Sequence, residues 1–106
     1  MRILEFEVKK QRLVKRRACD FSGLVRGSVN YLSARLYFTN DEWQQCSIKI
    51  ARFWVQGREY AVLLDENDSC IVPKEAVNSD TFGVSVLGVA KTHKIETNAV
   101  YVRQGE

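Results

Sequence analysis

The sequence is short of the residues that break regular structure. It has one proline and six glycines in 106 residues. A disordered or collagen-like chain needs far more of both, so those classes are excluded. No apolar run approaches the roughly 18 residues that a membrane-spanning helix requires. The N-terminus reads Met1-Arg2-Ile3-Leu4-Glu5. Charges stand where a signal peptide places its apolar core, so export by that route is not expected. The G-x-S-x-G, H-E-x-x-H and P-loop patterns are absent. The single histidine, His93, lies in the basic stretch Lys91-Thr92-His93-Lys94. A catalytic His needs a partner held within hydrogen-bond reach, and none is implied here, so His93 reads as a solvated turn residue. Neither an enzyme nor a cofactor is expected.

Cysteine is also sparse. Cys19, Cys46 and Cys70 are odd in number and contain no C-x-x-C pair. With His93 they would make a Cys3His set, but the 26, 23 and 22 residues that lie between successive members match no zinc-ligand rhythm. They read as reduced, mostly buried thiols, which suits a protein made in the cytoplasm.

What the chain does have is alternation. Hydrophobic residues make up 45% of it, enough to fill a core in one domain, 1–106. Leu4, Phe6 and Val8 alternate with Glu5, Glu7 and Lys9, a half-buried strand that resumes at Leu13 and Val14 after a turn near Lys10. Residues 29–38 form a long strand. A polar turn at Asn40-Asp41-Glu42 delivers Trp43, expected buried, to a strand over 43–55 with Cys46, Ile48 and Ile50 on one face. A bulge at Ala51 shifts its phase so that Phe53 and Val55 take over that face. Gln56-Gly57 is a hairpin turn, and Tyr60, Val62 and Leu64 share one face of the next strand, 59–64. Asp65-Glu66-Asn67-Asp68 could gather a calcium ion, but it lacks the EF-hand register, and Asp and Asn serve strand-connecting turns through local hydrogen bonds. Residues 69–72 form a short strand. Pro73 begins one helical turn near 73–78. Phe82, Val84, Val86 and Gly88 alternate through 81–89, and residues 95–102 close the chain as a last strand. Strands recurring every roughly 8–12 residues indicate an all-β, antiparallel two-sheet β-sandwich, immunoglobulin-like or jelly-roll-like.

The net charge of +3 is uneven. Residues 1–17 carry seven basic and two acidic side chains; the remaining 89 carry nine basic and eleven acidic. Lys9, Lys10, Arg12, Lys15, Arg16 and Arg17 form the sharpest cluster. They could meet phosphates in a nucleic acid or an anionic membrane. A protected edge strand, or a docking strip for the acidic remainder of a neighbouring copy, fits better, because a nucleic-acid footprint spreads over a whole face. Trp54 follows the buried Phe53, so it points outward and is an interface candidate.

The order of residues adds a resemblance. Asn40-Asp41-Glu42-Trp43 is followed by Ala51-Arg52-Phe53, Val62-Leu63-Leu64-Asp65 and Cys70-Ile71-Val72-Pro73-Lys74-Glu75. Phe82-Gly83-Val84-Ser85-Val86-Leu87-Gly88 and Thr97-Asn98 come next. Over residues 29–102 this succession resembles the N-terminal β-sandwich domain of tail and baseplate structural proteins in phages of Gram-positive bacteria, upper baseplate proteins among them. The resemblance implies a virion or prophage component without catalysis, made in the bacterial cytoplasm. Its implied partners are other copies of itself, phage tail proteins or both, with no membrane and no nucleic acid. Longer members continue into a receptor-binding part. This sequence stops at Glu106, so the docking module alone is expected. Two other readings are a carbohydrate-binding β-sandwich, with Trp54 exposed beside Tyr60, and a nucleic-acid-binding module built on residues 9–17.

Overall fold

The alternation becomes nine strands and two single-turn helices among the described residues, 1–105 of the computed structural model. In chain order these are β1 (Arg2–Lys9), β2 (Arg12–Lys15), β3 (Leu32–Phe38), α1 (Asp41–Gln44), β4 (Ile48–Val55) and β5 (Arg58–Leu63). Then follow β6 (Ser69–Ile71), α2 (Lys74–Val77), β7 (Thr81–Val89), β8 (Lys94–Glu96) and β9 (Val100–Arg103). One sheet runs β2-β1-β3-β6. The other runs β5-β4-β7-β8, and β9 also pairs with β7. The architecture is an all-β two-sheet sandwich.

The inward alternation is that of the sequence. Leu4, Phe6, Val8, Ala34 and Leu36 from the first sheet face Ala51, Phe53, Phe82, Val84 and Val86 from the second, all buried. α2 carries the chain from one sheet to the other with Pro73 at its N-cap. Gln104, itself buried, donates its amide to the carbonyls of Ala76, Val77 and Ser79 at 3.1, 3.3 and 2.7 Å. A helix this short leaves its last carbonyls without internal partners, and Gln104 supplies one.

Four expectations change. First, the sheet is not wholly antiparallel: β1 and β3 are parallel, from Arg2 opposite Leu32 to Val8 opposite Phe38. β2 runs back along β1, and the chain then crosses beneath β1 to restart on its far side. Arg2 holds this crossing, donating to the carbonyls of Asp20 at 2.9 Å and Ser22 at 2.6 Å. Second, β3 starts at Leu32 rather than at 29, because Asn30 takes a left-handed φ of 60°. Third, Trp43 sits in α1 rather than at the start of a strand, though it is fully buried as expected. Fourth, β4 has no bulge. It pairs with β7 without interruption from Ile48 opposite Val89 to Trp54 opposite Gly83. Ala51 and Phe53 therefore face the core, and Ile48 and Ile50 point to the other side.

The final strand is divided. Thr97 Oγ1 accepts the Val86 N–H at 2.9 Å and its own N–H donates to the Val86 carbonyl at 3.0 Å. Asn98 then turns away to β2, where it accepts the Leu13 N–H at 2.8 Å and donates to the Leu13 carbonyl at 3.1 Å. One side-chain amide thus bonds the β2 edge as a neighbouring strand would.

Candidate docking surface

The absence of a bulge in β4 sets the chemistry of the second sheet's outer face. With Ala51 and Phe53 turned inward, Ile48, Ile50, Arg52 and Trp54 turn outward. The register places Leu63 and Leu87 beside Ile50, Ala61 and Ser85 beside Arg52, Glu59 and Gly83 beside Trp54, and Gly83 between Trp54 and Tyr101. Leu63 is 64% exposed, Tyr101 60% and Ile48 43%. Exposed apolar side chains gathered on one sheet face mark a contact region. Covering the exposed part of Leu63 in an interface would be worth about 1–2 kcal/mol.

One cation meets two carboxylates at the centre of this face. The Arg52 guanidinium lies 2.8 Å from Glu96 and 3.8 Å from Glu59. Its carbon stands 5.5 Å from the Trp54 ring, and its Nε is buried without a hydrogen-bond acceptor. The Trp54 Nε1–H donates to Ser85 Oγ at 2.8 Å. Gly83 makes room for the Tyr101 ring: a Cβ there would stand 3.0 Å from Tyr101 Cε1 and 3.3 Å from Trp54 Cβ.

Trp54 does lie on the outer face, half-buried and fixed by Ser85 and Arg52. It is the floor of the surface rather than its most exposed point. Its neighbour is not Tyr60, which shares the inner side of β5 with Val62 and pairs with Phe53. The aromatic pair of the carbohydrate reading is therefore divided between the two faces. A shallow groove of about 480 Å³ beside Trp54 is walled instead by Tyr101, Gln56 and Asp80.

The basic cluster runs along one hairpin. Lys9, Lys10, Arg12, Lys15 and Arg17 are exposed along the β1–β2 hairpin and its exit. Lys15 reaches to 5.3 Å above the Phe21 ring. Arg16 lies on the first sheet's outer face, 4.0 Å above the Tyr37 ring and 3.4 Å from Glu5, whose other oxygen accepts the Tyr37 hydroxyl at 2.7 Å. β2 is an edge strand, as the charges implied, and Asn98 covers its backbone.

Elsewhere the geometry is that of turns and packing. Asp65 accepts the N–H groups of Asn67 at 2.8 Å and Ser69 at 3.0 Å, a local turn. His93 lies in the β7–β8 turn, its ring 3.2 Å from the Thr92 hydroxyl. The three cysteines are free thiols, and no group of three or more His, Cys, Asp or Glu among the described residues could hold a metal ion. Burial, with the nearby Asp65 charge, pushes the Cys70 thiol up to about 12. Burial also raises Cys46, although Lys49 opposes it. No family model matches the chain, and no curated protein or solved structure matches it either.

The sequence reading missed Ile48, Ile50, Leu63, Leu87 and Tyr101. The available signal was that residues 81–89 carry apolar side chains on both alternations near one end, at Leu87 and Val89 as well as at Val86.

Proposed function

We propose that this chain is a non-enzymatic docking and assembly module that works through protein–protein contacts, as a structural component of a phage or prophage tail or baseplate. The observation that carries the docking reading is the apolar outer face of the five-stranded sheet, from Ile48 and Leu63 to Tyr101. Its one central cation, Arg52, is already paired within the chain with Glu96 and Glu59, so a partner can cover that guanidinium without stranding it. The tail or baseplate assignment rests on the residue order over 29–102.

The test uses the proteins encoded beside this one. Each is purified and titrated against the parent and against an Ile48→Thr, Leu87→Lys variant. Both substitutions lie on the outer face, so the core is untouched. The expected result is saturable binding to a tail protein that weakens at least about tenfold in the variant, the size of one lost hot-spot side chain. Binding that is equal in both proteins overturns the assignment of the face. Neighbours unrelated to tails overturn the phage reading. Retention on DNA that falls steeply with salt would move the function to nucleic acid.

A further inference from the structure

The edges of the two sheets are treated differently. β2 is lined with Arg12 and Lys15, and Asn98 occupies its backbone. β6 and β8 are three residues each. These are recognised ways of blunting an edge. β5 has six residues, no lysine, no proline and an unbroken ladder to β4. The Leu64 N–H donates to the Lys49 carbonyl. By the alternation of an antiparallel ladder, Tyr60 and Val62 bond to β4, while Glu59, Ala61 and Leu63 aim their N–H and C=O groups away from the sheet.

Charge is arranged along the same edge. The strand begins at Arg58 and runs into the turn Asp65-Glu66. Neither Arg58 nor Glu66 has an ion-pair partner among the described residues. Two antiparallel copies of β5 bring the basic start of each beside the acidic end of the other. With the two-fold axis at Ala61, Glu59 stands opposite Leu63 of the second copy, and Arg58 lies diagonal to its Glu66. No like charges are opposed.

We propose that β5 pairs antiparallel with β5 of a second copy, giving an isologous dimer in which the two five-stranded sheets become one and the apolar outer faces join across the axis. This rests on the docking reading and names its first partner as the chain itself. An open edge is self-complementary in this orientation, since the same three residues supply donors and acceptors on both sides. The contact is small, so the dimer is concentration-dependent.

Sedimentation velocity over about 1–500 µM spans the range expected of a small interface. The parent is expected to move from 12.2 kDa toward twice that mass. Ala61→Pro removes the N–H at the axis but none of the bonds to β4, and an edge strand tolerates proline there, so this variant is expected to fold and remain monomeric. Its melting curve and circular dichroism verify folding. Arg58→Glu is expected to weaken the dimer about tenfold, since symmetry counts the change twice. Adding Glu66→Lys is expected to restore it. A parent that stays monomeric throughout overturns the proposal. So does a dimer that a folded Ala61→Pro variant leaves intact, which would place the contact on the face or on another edge. Neither result touches the docking reading, because Ile48 and Leu87 are unaltered. An Ala61→Pro monomer that still binds a tail protein supports both.

Discussion

At the scale of single residues, Trp43 and Gly88 form one unit. The indole is fully buried, packs 5.0 Å from the Phe38 ring and donates its Nε1–H to the Lys10 carbonyl at 2.7 Å. Gly88 gives it room, since a Cβ there would stand 2.7 Å from Trp43 Cζ3 and from Cys46 Sγ. Trp43→Ala is expected to cost about 3–5 kcal/mol in urea unfolding. Gly88→Ala is expected to cost about 1–3 kcal/mol by overpacking, and less when Trp43 is already Leu. Equal costs in the two backgrounds would show that the ring and the glycine are independent. The thiols divide by burial. Under native conditions iodoacetamide is expected to label Cys19 ahead of Cys46 and Cys70, with all three labelled once the chain is unfolded without reductant, as read by mass spectrometry. Two missing labels would reveal a disulfide. Cys70 also ties stability to alkali. Unfolded, its thiol loses a proton near about 8.5. Folded, it holds that proton to about 12. Between these values the unfolded state binds fewer protons, so stability falls as pH rises, by at most roughly 1.4 kcal/mol per unit from this group. Cys70→Ala is expected to flatten that part of the stability profile relative to the parent.

At the scale of elements, the strands whose neighbours alternate cleanly were legible. β1, β5 and β7 carry their inner residues where the alternation puts them, and Pro73 marks α2. β4 was misread because Cys46, Ile48 and Ile50 make as good a stripe as Ala51, Phe53 and Val55. Only the ladder with β7 decides between them, and that information is not local. Trp43 was legible as a buried residue but not as a helical one. Its four-residue helix is shorter than one heptad, so no period is visible, and its position depends on Lys10 and Gly88. The Asn98 clamp was equally hidden, because an Asn reads as a turn residue until its distant partner is known. Asn98→Asp keeps the acceptor for the Leu13 N–H and loses the donor to its carbonyl. It also sets a carboxylate oxygen against that carbonyl oxygen, and is expected to cost about 1–3 kcal/mol, more than one lost hydrogen bond. Asn98→Ala loses both bonds and is expected to speed amide exchange at Leu13 more than at residues in β7. Uniform exchange across both strands would show that Asn98 does not hold this edge.

At the scale of the whole molecule, the sandwich was legible from strand spacing, whereas the surface was not. The sequence points to its charges, and the structure strings Lys9, Lys10, Arg12, Lys15, Arg16 and Arg17 along the β1–β2 hairpin and its exit. The exposed apolar side chains gather instead on the opposite sheet, around the Arg52 ion pairs. The parallel seam between β1 and β3 has a consequence in time rather than in space. β1 leaves the ribosome before β2 and β3, and its hairpin with β2 closes over two residues. Its second neighbour arrives only after the crossing chain has been made, thirty positions on, as in Arg2 with Leu32. Loop-closure entropy is therefore lost before that seam returns any contacts. The β1–β2 and β4–β5 hairpins are expected to form early and the β1–β3 seam late. Substitutions at Ala34 should then leave the refolding rate nearly unchanged and accelerate unfolding, while those at Val62 should slow refolding. Stopped-flow chevrons of the two variants measure this order directly, and the reverse pattern would make the parallel seam the nucleus.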